Sequence, residues 1–153
     1  MIKASISFLI SVAIATVLLI TQTTFTNLVW LSSMDMPIDV SVILSMMASD
    51  LISMNIKGEF PVGALVLVGM LIAFIVTRIL LIWVNIDKRY LYALAGGATL
   101  FAIVGLMPLA FYNLDLIAGA RSVFGKGYLI FTGMIAGYYF GARQTEGSTN
   151  ESH

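Results

Sequence analysis

Cysteine is absent from this 153-residue chain, and its one histidine, His153, is the final residue. The first absence excludes disulfides, thiolate metal sites and cysteine nucleophiles. The second leaves histidine-ligated haem, His-based zinc and a Ser-His-Asp triad without a donor in the body of the chain. Charge is scarce as well. Asp, Glu, Lys and Arg together make up 10% of residues, where a soluble domain carries about 25%. Too little charge remains to coat a water-facing surface, while 59% of residues are hydrophobic. This is the composition of an integral membrane protein. Lys and Arg balance Asp and Glu at eight each and are scattered along the chain. No basic patch offers itself to nucleic acid, and no polybasic run to anionic lipid.

What is present is a set of long apolar runs within one domain. The first, over residues 4–24, follows Lys3 and lacks a small-x-small cleavage site after Ile20. It reads as an uncleaved transmembrane helix, with a signal peptide as the alternative. Further spans are expected at 60–84, 90–112 and 123–142, followed by a mobile polar tail over 144–153. Pro61 opens the second span and Trp83 anchors it at an interface. Pro108 should kink or terminate the third.

The connection between the first two spans exceeds the ~12–15 residues usual for structureless loops, which predicts an element of its own. Asp35 before Met36-Pro37 suggests a helix N-cap, and Asp39 suits the positive end of a helix. Val40, Leu44, Met47, Leu51 and Met54 alternate at four- and three-residue spacing, with Asp39, Ser49, Asp50 and Ser53 opposite. An external amphipathic helix over about 37–55 is expected, lying on lipid, meeting a partner, or capping the bundle. The fold class is therefore all-α: a polytopic four-transmembrane-helix bundle with an amphipathic helix in its first external loop.

Gly133, Gly137 and Gly141 recur every fourth residue and make one smooth stripe on the last span. Glycine costs roughly 1 kcal/mol of helix propensity against Ala. In a bilayer, close approach of a neighbouring helix offsets that cost. Gly96, Gly97 and Gly105 in the third span supply the matching small positions within the protomer. Lys126 and Arg143 leave roughly 24 Å of helix between them at 1.5 Å per residue, short of the ~30 Å hydrocarbon core. The aromatics Tyr112, Tyr128, Tyr138, Tyr139 and Phe140 fit an interfacial belt.

Arg78 lies inside the second span. It either snorkels to the headgroups or meets a buried partner or ligand. Asp115, Arg121 and Lys126 border the last span, and with Arg78 they are the candidate lipid or partner contacts. No acidic residue lies within the second or third span, which argues against a proton-coupled transporter. No H-E-x-x-H, P-loop or G-x-S-x-G motif occurs. No catalytic, metal or cofactor-binding residue is expected, and no cofactor. With both termini inside, Lys3, Arg78, Lys88, Arg89 and Arg143 fall inside and Lys57, Arg121 and Lys126 outside, in accord with the positive-inside rule.

Three strings carry a resemblance: TQTTFTNL at 21–28, LYALAGG at 91–97 and IAGAR at 117–121. They are similar to a family of small, uncharacterised four-helix inner-membrane proteins of Gram-negative bacteria. The resemblance implies that topology and a bacterial inner membrane, and no established activity. The expected function is a non-enzymatic multi-pass protein acting as an interaction or assembly subunit. Its partners would be the lipid bilayer and another membrane protein or a second copy of itself. A small homo-oligomeric channel, or binding of lipid beside the outer helix, is the alternative.

Overall fold

A computed structural model of the protein describes residues 2–57, 61–110, 120 and 122–149. The order is α1 (Ile2–Ser32), α2 (Val40–Ile52) with a π-helical turn at Ser53–Lys57, α3 (Val62–Trp83), α4 (Lys88–Ala110) and α5 (Val123–Thr149). No strand occurs among the described residues. Three stretches are long and apolar enough to cross a membrane: Lys3–Ser32, Val62–Trp83 and Lys88–Leu106.

The long helices alternate in direction. Phe8 meets Phe74 while Thr16 lies beside Gly63, so α1 and α3 are antiparallel. Phe74 meets Tyr92 and Gly69 meets Thr99, which sets α4 antiparallel to α3. Gly137 lies against Tyr92 and Gly133 against Gly96, so α5 returns along α4. The Ser11 hydroxyl donates to the Ala136 carbonyl and closes α5 onto α1. On α3, Val62, Val66, Met70, Phe74 and Thr77 are buried, one face at helical spacing. Ile72, Ile75, Val76 and Ile79 are exposed on the other side, an apolar surface suited to hydrocarbon.

α1 outruns the expected first span. The polar TQTT segment does not stop the helix, because the hydroxyls of Thr21 and Thr23, like that of Thr26 beyond it, are satisfied by the helix's own carbonyls. Thr21, Thr23 and Thr26 donate to the carbonyls of Val17, Leu19 and Gln22 at 2.8, 3.1 and 3.0 Å. Such back-bonding lets threonine persist in a helix. The helix finishes at Asp35, whose φ of 54° is left-handed. Met36 N–H donates to Leu31 and Asp35 N–H to Ser32, the paired bonds of a Schellman termination. Asp35 therefore closes α1 and is not the cap of α2. That role falls to Asp39, whose carboxylate accepts from Val40 N–H at 2.8 Å.

The other end of α2 is tied into α3. Pro61, at the α3 N-cap, offers no side-chain bond, and Asn55 substitutes from the π-helical turn. Its Oδ1 accepts from Gly63 N–H at 3.0 Å while its Nδ2 donates to Leu51 at 2.9 Å. A Cβ on Gly63 would stand 2.6 Å from that oxygen, so the bond needs glycine there. At the far end of the chain, α5 continues helical through Thr149, where a mobile tail was expected.

Candidate functional site

Two places gather the chain's polar and aromatic groups. The first is the clasp between α1 and α2. α2 folds back along α1, with Asp50 opposite Thr24: the Thr24 hydroxyl donates to Asp50 Oδ2 at 2.8 Å. Thr24 is buried and Asp50 half-buried. Asp50, expected on the polar outer face, thus turns inward. Its rotation carries the expected apolar stripe round with it. Met47 and Met54 are half-buried, but Leu44 is 62% and Leu51 47% exposed, and α2 has no fully buried residue. Below the clasp, Val17, Ile20 and Thr21 of α1 face Met47, Ala48, Leu51 and Ile52 across a crevice of about 320 Å³. Thr16, next along α1, has a hydroxyl oxygen sealed from the surface without a hydrogen-bond partner among the described residues.

The second place is the end of the bundle where α1 begins and α5 runs out. Each long helix gives one ring to a shared cluster: Phe8 from α1, Phe74 from α3, Tyr92 from α4 and Phe140 from α5. Phe74 stacks on Phe140 at 4.7 Å between centroids. Tyr92 meets both edge-on, at 5.2 and 5.0 Å, and Phe8 meets both at 5.9 and 6.2 Å. Edge-to-face and offset pairs at such distances are the favourable arrangements of aromatic quadrupoles. Phe140 is 7% exposed, so it belongs to the core and not to an interfacial belt. Tyr138 is exposed, and Tyr139 lies under Arg143, whose guanidinium carbon is 5.7 Å from the ring centre.

The glycines lie on the seam between α4 and α5. A Cβ on Gly96 would collide with the Gly133 carbonyl, and one on Gly137 with that of Tyr92. One on Gly141 would come within 2.8 Å of Arg89 Cα, and one on Gly97 within 2.6 Å of Met134 Cγ. Gly105 is outside the seam, since a Cβ there meets nothing within 4 Å. Of the expected lipid or partner contacts, Arg78 is exposed and Lys126 half-buried, 48 positions apart in the sequence. They sit at opposite ends of the bundle. Asp115 and Arg121 lie outside the described residues.

Comparison with protein-family models, with curated proteins and with solved structures gave no match. Two features escaped sequence reasoning. The Asp50–Thr24 clasp had one signal, the single charged side chain within α2. The ring cluster had another, single aromatics that antiparallel helices carry to one depth.

Proposed function

We propose that this chain is a non-enzymatic multi-pass protein of a bacterial inner membrane, working as an interaction or assembly subunit through α2. In this proposal α5 is a fourth span, short of Lys126 and Arg143, and both termini are cytoplasmic. Pairing with α4 supports the span: the segment over 127–142 carries no charge but is rich in glycine and tyrosine, and a helix of such modest hydropathy is accommodated when its small-residue face is covered by a neighbour. The Lys and Arg distribution and the three family-like strings support the membrane and the orientation. The amphipathic helix of the first loop becomes a helix with an apolar outer face held at the bilayer surface.

The observation that carries the proposal is the state of α2. Val40 and Leu44 are exposed, as are Ile56 in the turn that follows and, at the mouth of the crevice, Leu51 and Ile52, while one hydroxyl–carboxylate bond and half-buried side chains hold α2 to α1. An apolar face of this extent marks a surface meant to be covered. A photo-crosslinking residue placed at Leu44 or Leu51, with native mass spectrometry after gentle extraction, tests it. The expected result is one discrete protein adduct, lost in Val40→Glu. A strictly monomeric protein with no adduct from either position counts against it.

The crevice beside Val17 and Ile20 favours a second reading, in which an acyl chain or small hydrophobe sits between α1 and α2. A crosslinker at Met47 would then capture lipid. The channel alternative loses its support from the glycine stripe, because Gly133, Gly137 and Gly141 are consumed within the protomer.

A further inference from the structure

The ring cluster fixes the level at which the chain's cations emerge. Phe74 and Tyr92 touch at 5.2 Å on antiparallel helices. Arg78 follows Phe74 by four residues, and Lys88 and Arg89 precede Tyr92 by four and three. All three therefore arrive one helical turn beyond the rings, on two helices joined by the short link over 84–87. Lys3, five residues before Phe8, rims the same end from α1. Arg89 differs from an ordinary interfacial cation. It is half-buried at the head of the glycine seam, and its Nε is sealed from the surface with no hydrogen-bond partner among the described residues.

Among the described residues neither Arg78 nor Arg89 has a carboxylate partner. Asp87, the nearest acid in sequence, spends Oδ1 accepting from Arg89's own backbone N–H at 3.1 Å, which starts α4. A guanidinium held partly out of water with an unmatched donor calls for an anion, and its planar fork matches phosphate. The floor beneath it is aromatic and apolar, and the walls are membrane helices. That environment admits a headgroup whose tails stay in hydrocarbon, the arrangement of basic pockets between transmembrane helices.

We propose that this end of the bundle holds the phosphate of an anionic phospholipid, with Arg89 as the anchoring cation and Arg78 and Lys88 as flanking donors. The proposal depends on the chain spanning a bilayer and is independent of any partner at α2. Its occupant is a lipid, and soluble phosphate is the competitor the experiment must separate from it.

The test reconstitutes the full chain in equimolar phosphatidylglycerol and phosphatidylcholine, extracts it gently and counts retained lipids by native mass spectrometry. Wild type should retain phosphatidylglycerol in preference. Arg89→Gln should lower that retention about fivefold or more, as expected for loss of a charge-assisted contact. Arg78→Gln should lower it less, and Arg89→Lys should fall between wild type and Arg89→Gln, keeping charge without the fork. Each variant is required to elute as wild type does, so that a folding defect is recognised, and Leu44→Glu on α2 should retain lipid normally. Equal retention of both lipids, or Arg89→Gln indistinguishable from wild type, overturns the proposal. So does displacement of phosphatidylglycerol by inorganic phosphate that binds lipid-free protein equally well.

Discussion

Where α1 begins and α5 runs out, four helices each lend one ring to a single contact, and α4 and α5 approach until their glycine backbones touch. At the other end, α2 leans on α1 through one hydrogen bond and a crevice, with no residue fully buried. The same apolar alphabet builds both. The difference is which groups meet: rings and bare backbone lock into one geometry, whereas Met47 packs adaptably beside Leu51 and Ile52, which stay largely exposed. In lipid, apolar side chains gain little by leaving hydrocarbon, so packing shape decides which contacts are rigid. One end is a fixed frame and the other a loosely held, largely exposed helix.

The largest break in that comparison should come from Gly137→Leu. Its side chain would displace the Tyr92 carbonyl, and overpacking of this kind costs about 3 kcal/mol. Thermal unfolding followed by circular dichroism in detergent should show loss of a stable monodisperse protein. Phe140→Ala should come next, removing the ring that meets three others, at about 3 kcal/mol if the cavity persists and less if the helices close on it. Thr24→Val tests the loose end. It strips one hydroxyl from Asp50 for about 1 kcal/mol, an effect confined to α2. Amide exchange there should quicken about fivefold, while exchange in α4 and α5 stays unchanged. An equal increase across all helices would show that the two ends form one cooperative unit. Gly105→Ala should have the smallest effect, neutral or stabilising by up to about 1 kcal/mol from helix propensity, because nothing occupies the space a methyl would fill. Destabilisation there would extend the seam beyond Gly96 and Gly97.

Much of the frame was legible because continuous apolar runs need no tertiary information. The runs at Val62–Trp83 and Lys88–Leu106 follow from length and composition alone. The extension of α1 was not legible, since TQTTFT reads as loop unless threonine is known to bond its own helix. The rotation of α2 depended on Asp50 finding a buried hydroxyl on another element, information that no local spacing carries. Phe140 was similarly hidden. Beside Tyr138 and Tyr139 it looks like one of three belt residues, and only the position of α4 separates it from them. At the end that carries the ring cluster, Arg78 stood out by its depth, whereas Arg89 looked like one charge in an ordinary turn.

A consequence follows from the length of α1. Its 31 residues make a rod of roughly 46 Å at 1.5 Å per residue, against a hydrocarbon thickness of ~30 Å. Standing upright in a bilayer, it would leave about a third of its length clear of the oily layer, with Phe25, Val29 and Trp30 on its exposed side. The chain then reverses at Asp35 and descends through α2, so that Met34 and Met36 form a summit while Ile52 and Ile56 return toward the membrane. If α2 docks a partner as proposed, a soluble one arriving from above would touch the methionines first and a membrane-embedded one sliding in laterally the isoleucines first. Labels placed at Met36 and Ile56 would record the direction of approach.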